Sequence, residues 1–198
     1  MKPQNKRVII TQERRLNDKV KVGNQDFILD NVFRSAWNTV QEGTVYSAAD
    51  NCDLIQGDRV FVHHFVSEGE HKLPFEGGLF SWLEYSQIYS RERDGVMKML
   101  NNYLFVEPIR YDNVKFKNET SGFIMNTKAG SEFVERMGIV SNLSDSCIEA
   151  GLKVGDVIIF SKNCEYQIEV NGKKLYRMEL RDVITTVPDD IKVTSTKA

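Results

Sequence analysis

Gly151-Leu152-Lys153-Val154-Gly155-Asp156-Val157-Ile158-Ile159-Phe160 is the stretch from which this chain is best read. Gly155-Asp156 is turn chemistry, and the four β-branched and aromatic residues that follow read as a short strand. The arrangement recurs upstream as Leu54-Ile55-Gln56-Gly57-Asp58-Arg59-Val60-Phe61-Val62, with Gly57-Asp58 lying 98 residues before Gly155-Asp156.

Outward from this pair the chain matches itself at an offset of 96: Met1, Asn5, Val8, Ile9 and Ile10 fall on Met97, Asn101, Leu104, Phe105 and Val106. Phe27-Ile28-Leu29 falls on Phe123-Ile124-Met125, and Gly78-Leu79-Phe80 on Lys174-Leu175-Tyr176. A constant order at near-constant spacing argues for two repeats, 1–95 and 96–190, followed by a polar tail, 191–198.

The repeats are strand-like. Val8–Ile10, Thr44–Tyr46 and Arg59–Val62 in the first have Leu104–Val106, Gly138–Val140 and Val157–Phe160 as counterparts in the second. Gln167 to Tyr176 is a predicted hairpin around Asn171-Gly172, and Val183 to Val187 a closing strand. Tyr89 to Leu100 is predicted as a helical turn between the repeats, interrupted by Gly95. Many short strands in about 95 residues must close or pair to hide their edges, so the expected class is all-β, with a small barrel in each repeat.

Two long tracts break the pattern, Asp18 to Thr39 and Asp112 to Arg136, each polar with an apolar tripeptide at its middle. Such a tripeptide is either an ordinary buried strand or a few apolar side chains presented by a flexible loop. The Asn, Lys, Ser, Thr and Gly residues around it favour the loop, and ordering a loop on a partner costs entropy that keeps the contact reversible.

The sequence of 198 residues carries 26 basic and 28 acidic side chains. Neither sign dominates, so nothing points to nucleic acid. Three cysteines without a CxxC spacing fit a reducing compartment, and no apolar run is long enough for a membrane span. A cytoplasmic setting is expected.

The Lys153-Val154-Gly155-Asp156 turn into Val157–Phe160, the hairpin ending in Leu175-Tyr176 and the terminal Asp182 to Val187 together resemble the GroES family of ten-kilodalton co-chaperonins. The resemblance implies two tandem GroES-like irregular β-barrels, each with a long flexible loop, the first more divergent. It further implies that an apolar tripeptide of that loop inserts into a groove on a chaperonin. Gly122, Phe123, Ile124 and Met125 occupy that place in the second repeat. By the internal repeat Phe27, Ile28 and Leu29 do so in the first, where Asp26 stands instead of the glycine. Gly57, Asp58, Gly155 and Asp156 are then structural turn residues. The implied function is a co-chaperonin, in bacteria or encoded by a virus and acting in host cytoplasm. It would cap an ATP-hydrolysing, GroEL-like ring over an unfolded client as a homo-oligomeric ring, with no catalysis, cofactor, nucleic acid or membrane of its own. The links Ser47 to Asp53 and Ser141 to Ala150 are short where the family has a roof hairpin. The alternative is a structural or adaptor protein, such as a viral particle component, that keeps the barrels without meeting a chaperonin.

Other chemistry has little support. His63 and His64, adjacent on a strand, are expected to point to opposite faces and so not to share one metal ion, and His71 is the chain's third histidine. Cys147 and Cys164 have no histidine in their repeat to act as base. There is no P-loop or GxGxxG, which also separates the chain from alcohol dehydrogenases that contain a GroES-like domain. Trp37, Trp82, Phe75 and Phe80 are read as core packing, with a protein-contact surface as the alternative.

Overall fold

In a computed structural model the described residues are 3–17, 19–22, 24–28, 39–67, 69–110 and 133–188. The chain divides into two units, Met1–Leu100 and Asn101–Ala198. The first contains β1 (Arg7–Gln12), β2 (Lys19–Val22), β3 (Gln25–Ile28), β4 (Glu42–Ala48), β5 (Arg59–Val62), β6 (Lys72–Leu73), β7 (Leu79–Glu84), β8 (Ile88–Arg93) and β9 (Val96–Met99). The second contains β10 (Tyr103–Arg110), β11 (Phe133–Leu143), a short helix α1 (Asp145–Glu149), β12 (Val157–Phe160), β13 (Tyr166–Val170), β14 (Lys173–Glu179) and β15 (Val183–Thr186).

The fold is all-β. A seven-stranded sheet runs β6-β7-β1-β4-β5-β8-β9, a six-stranded sheet runs β13-β14-β10-β11-β12-β15, and β2 and β3 pair separately. The strand pairs are antiparallel. The first six strands of the larger sheet thus stand in the order of the six in the smaller, and β9 is the addition.

The correspondence extends to irregularities. Between β1 and β4 the register jumps from Ile9↔Ser47 to Ile10↔Val45, leaving Tyr46 as the extra residue of a bulge. Between β10 and β11 it jumps from Phe105↔Asn142 to Val106↔Val140, leaving Ser141. Tyr89 and Ile184 are the extra residues of a second matching pair of bulges. The short 3-10 turns entering β8 and β15 are also alike: Glu84 N–H donates to Gln87 Oε1 at 2.8 Å, and Glu179 N–H to Asp182 Oδ2 at 2.9 Å. Bulges are specific local solutions, and their recurrence at equivalent places is strong evidence of one design used twice.

Each unit has its own core. Val8, Ile10, Val45, Val60, Val62, Leu83 and Ile88 cluster in the first, and Leu104, Val106, Val140, Ile158, Phe160 and Met178 in the second. In β4 burial alternates, Gly43 and Val45 buried, Thr44 and Tyr46 exposed, as a strand with one buried face requires.

One sequence expectation needs correction. Tyr89 to Leu100 is not helical: it forms the β8–β9 hairpin, turning at Asp94 (φ 52°) and Gly95 (φ 76°). Both turn residues have positive φ, the requirement of a tight turn matched to strand twist, and Asp-Gly meets it well. The unit boundary lies at Leu100/Asn101, so Val96–Met99, assigned to the second half by the sequence repeat, is hydrogen bonded into the first sheet.

Candidate functional site

The excursion between β1 and β4 is pinned at its neck. Leu16 bridges Thr39, Val40 N–H donates to Arg15 O at 2.8 Å, and the buried Gln12 amide donates to Val40 O and Glu42 O at 3.2 and 2.9 Å. Beyond the neck stands the β2–β3 hairpin, with Lys19↔Ile28, Val20↔Phe27, Lys21↔Asp26 and Val22↔Gln25 in register. The alternating Lys-Val-Lys-Val of β2 is a strand pattern.

Every residue of β3 is exposed. Phe27 is 49% and Ile28 84% accessible, and as neighbours on a strand they project to opposite sides. The sequence left a buried strand and a presenting loop as alternatives. The result combines them: a strand in backbone, a presenter in exposure. Leu29, Gly122, Phe123, Ile124 and Met125 lie outside the described residues. The second excursion is closed at its own neck by the Arg110↔Phe133 pair.

The Gly-Asp residues set two equivalent turns. Gly57 and Gly155 both have φ of 94°, a left-handed conformation that favours glycine. Asp58 Oδ2 accepts from Ile55 N–H at 2.9 Å, and Asp156 Oδ2 from Lys153 N–H at 2.8 Å. Each turn is tied to the neighbouring strand: Val45 N–H donates to Asp58 O and Val140 N–H to Asp156 O, both at 2.8 Å.

Among the described residues, Asp58 gains a cation and Asp156 does not. Its buried carboxylate takes Arg93 Nε–H and Nη2–H at 2.7 Å each. Burial alone would raise this carboxyl, but the Arg93 guanidinium and the Ile55 N–H together hold it below the ordinary aspartate value. Sequence reasoning missed Arg93, because a partner 35 residues away on another strand leaves no local pattern.

The histidines depart from expectation. β5 ends at Val62, and His64 opens a 3-10 turn rather than continuing the strand. The His63 and His64 rings stack 4.3 Å apart, with Phe65 at 4.6 and 4.0 Å from them, instead of facing opposite ways. His71 is elsewhere, its Nδ1 2.9 Å from Trp82 O. Among the described residues no three His, Cys, Asp or Glu side chains converge on a metal position.

The cysteines are free. Burial, then the Asp182 and Glu165 carboxylates, push the Cys164 thiol up to about 11, and it donates to Ser161 O at 3.0 Å. Such a thiol is a poor nucleophile near neutrality. Phe80 meets Tyr46 and Phe75 edge-on at 5.2 and 5.5 Å, a half-buried aromatic group rather than deep core. Trp37 lies outside the described residues. Among the described residues no helix is long and apolar enough to cross a membrane.

No family model and no curated protein matches the sequence. Fold and site define the class: an all-β protein in which one sheet topology occurs twice and a hairpin that exposes Phe27 and Ile28 stands between β1 and β4 of the first copy.

Proposed function

We propose that each unit is a GroES-like irregular β-barrel and that the chain is a co-chaperonin, capping a GroEL-like, ATP-hydrolysing ring over an unfolded client. The observation that carries this reading is the exposure of Phe27 and Ile28 on a hairpin that stands beyond a pinned neck. A pair of large apolar side chains so displayed gains free energy only when a partner buries them, about 1–3 kcal/mol for each if burial is complete. Leu29 and the Gly122-Phe123-Ile124-Met125 sequence are the further proposed anchors. One hairpin binds weakly, and several on one homo-oligomer bind tightly through effective concentration. The chemical work belongs to the chaperonin's ATP hydrolysis, and the cap contributes enclosure and timely release.

The test is co-sedimentation with a chaperonin ring with and without ATP, comparing the unsubstituted protein with Phe27→Ser/Ile28→Ser. Both side chains are exposed, so the variant keeps its β-sheet circular dichroism. Nucleotide-dependent binding that is lost in the variant is the expected outcome. Binding unchanged by the double substitution removes this hairpin as the contact, and absence of binding to bacterial and host rings alike leaves the adaptor reading.

A further inference from the structure

Arg15 is a cation without a counter-charge. Among the described residues the other half-buried arginines of the first unit each face carboxylates: Arg59 faces Glu42 and Glu92, Arg91 faces Asp53, and Arg93 faces Asp58. The Arg15 guanidinium is half-buried as well. Yet among the described residues its side chain has one acceptor, the Phe80 carbonyl 3.1 Å from Nη2, and the buried Nε–H has none. Burial lowers the group from the ordinary arginine value, with no neighbouring carboxylate opposing the shift. A guanidinium stays charged at ordinary pH, so the fold leaves this partial desolvation uncompensated.

The surroundings favour a strong contact. Phe80, whose carbonyl Arg15 holds, sets its ring against Tyr46 and Phe75, and Tyr46 and Leu79 are exposed. An ion pair formed beside apolar side chains and shielded from water is stronger than one on an open polar surface. Position points the same way. Arg15 O accepts from Val40 N–H and the next residue, Leu16, bridges Thr39, so Arg15 stands at the neck of the β2–β3 hairpin. The chain from Arg15 to Lys19 spans at most about 14 Å, and Ile28 lies across the ribbon from Lys19. A partner surface of ordinary interface size is wide enough to cover the hairpin and Arg15 together.

We propose that Arg15 is the ionic contact of that interface, taking a carboxylate of the chaperonin surface that receives Phe27 and Ile28. The contact rests on the co-chaperonin reading and assigns the ring an acidic group beside its apolar site. With one Nη2 hydrogen held by Phe80 and Nε–H enclosed, the remaining Nη hydrogens are the donors left for the carboxylate.

Affinity for a bacterial GroEL-type ring with ATP is measured at about 50 and 300 mM salt for the unsubstituted protein, Arg15→Gln, Arg15→Lys and Phe27→Ser/Ile28→Ser. Salt is expected to weaken the unsubstituted protein's binding. Arg15→Gln is expected to weaken it about tenfold at low salt and to lose most of the salt dependence, which Arg15→Lys keeps. Denaturant titration follows the neck separately, because loss of the Phe80 bond lowers stability without changing the response to salt. Arg15→Gln binding at full strength, or weakened with its salt response unchanged, overturns the contact. So does a salt-dependent loss beside a hairpin variant that binds normally, since the two would then serve different surfaces. Binding abolished by the hairpin substitutions but indifferent to Arg15 sinks this contact alone. No binding of the unsubstituted protein to bacterial or host rings sinks the co-chaperonin reading, and the contact with it.

Discussion

Gly138 illustrates how little space the shared topology leaves at single positions. A β-carbon built there would lie 2.2 Å from Val106 Cγ1 and 2.9 Å from the Glu107 carbonyl oxygen. Val106 is buried and stiff at χ1, so it cannot swing aside. At the equivalent Gly43 the nearest atoms are the flexible end of Ile10 at 2.8 Å and the Thr11 carbonyl at 2.9 Å. Gly138→Ala is therefore expected to destabilise the second unit by about 1–3 kcal/mol, and Gly43→Ala the first by less, in denaturant titrations. Asp58 is the comparable polar case. Asp58→Asn removes the charge that holds Arg93 and is expected to lower stability in the same titrations, whereas Asp156→Asn, with no guanidinium against it among the described residues, costs less. The turn role of the two aspartates was readable from Gly-Asp before a strand. The glycine clash and the Arg93 pair were not, because both are made by residues brought together across the sheet.

At the scale of elements, legibility followed local chemistry. Asn171-Gly172 announced the β13–β14 hairpin, and both residues have the positive φ it requires. Asp94-Gly95 carried the same signal for β8–β9, but the charged residues around it made the segment look like an interrupted helix. The deciding contact is the edge of β8, which only the assembled sheet provides. Gly95→Ala is expected to lower stability by about 1 kcal/mol and to accelerate amide exchange along β9 before the rest of the sheet, which hydrogen-exchange mass spectrometry would register. In the candidate site, Phe27 and Ile28 stood out as apolar residues in a polar tract. Their strand did not, since a two-stranded ribbon apart from the main sheets depends on Lys19 and Val20 opposite them as much as on its own composition.

For the whole molecule, duplication was legible as offsets of 96 and 98, while the shared strand order and bulges were visible only in three dimensions. The surfaces of the copies have diverged, and acid should separate them. Because Asp58 titrates below its unfolded value in the folded state, its contribution is present above the ordinary aspartate pKa of about 4 and is lost as pH falls through the lowered value. The chain's two tryptophans, Trp37 and Trp82, both belong to the first unit, so their fluorescence follows that half alone. The expected outcome is an acid limb in tryptophan-detected stability below about pH 4 that is flattened in Asp58→Asn. An unaltered limb would assign acid sensitivity to other carboxylates.

The presence of two like units in one chain also fixes a parity. Any closed ring assembled from whole chains contains an even number of units, whatever the number of chains. For the proposed cap, set against a chaperonin face with an odd number of subunits, such a ring cannot match each unit to one subunit. Some positions must then go unengaged or the two halves must bind unequally, so divergence between the halves becomes a means of accommodating the mismatch.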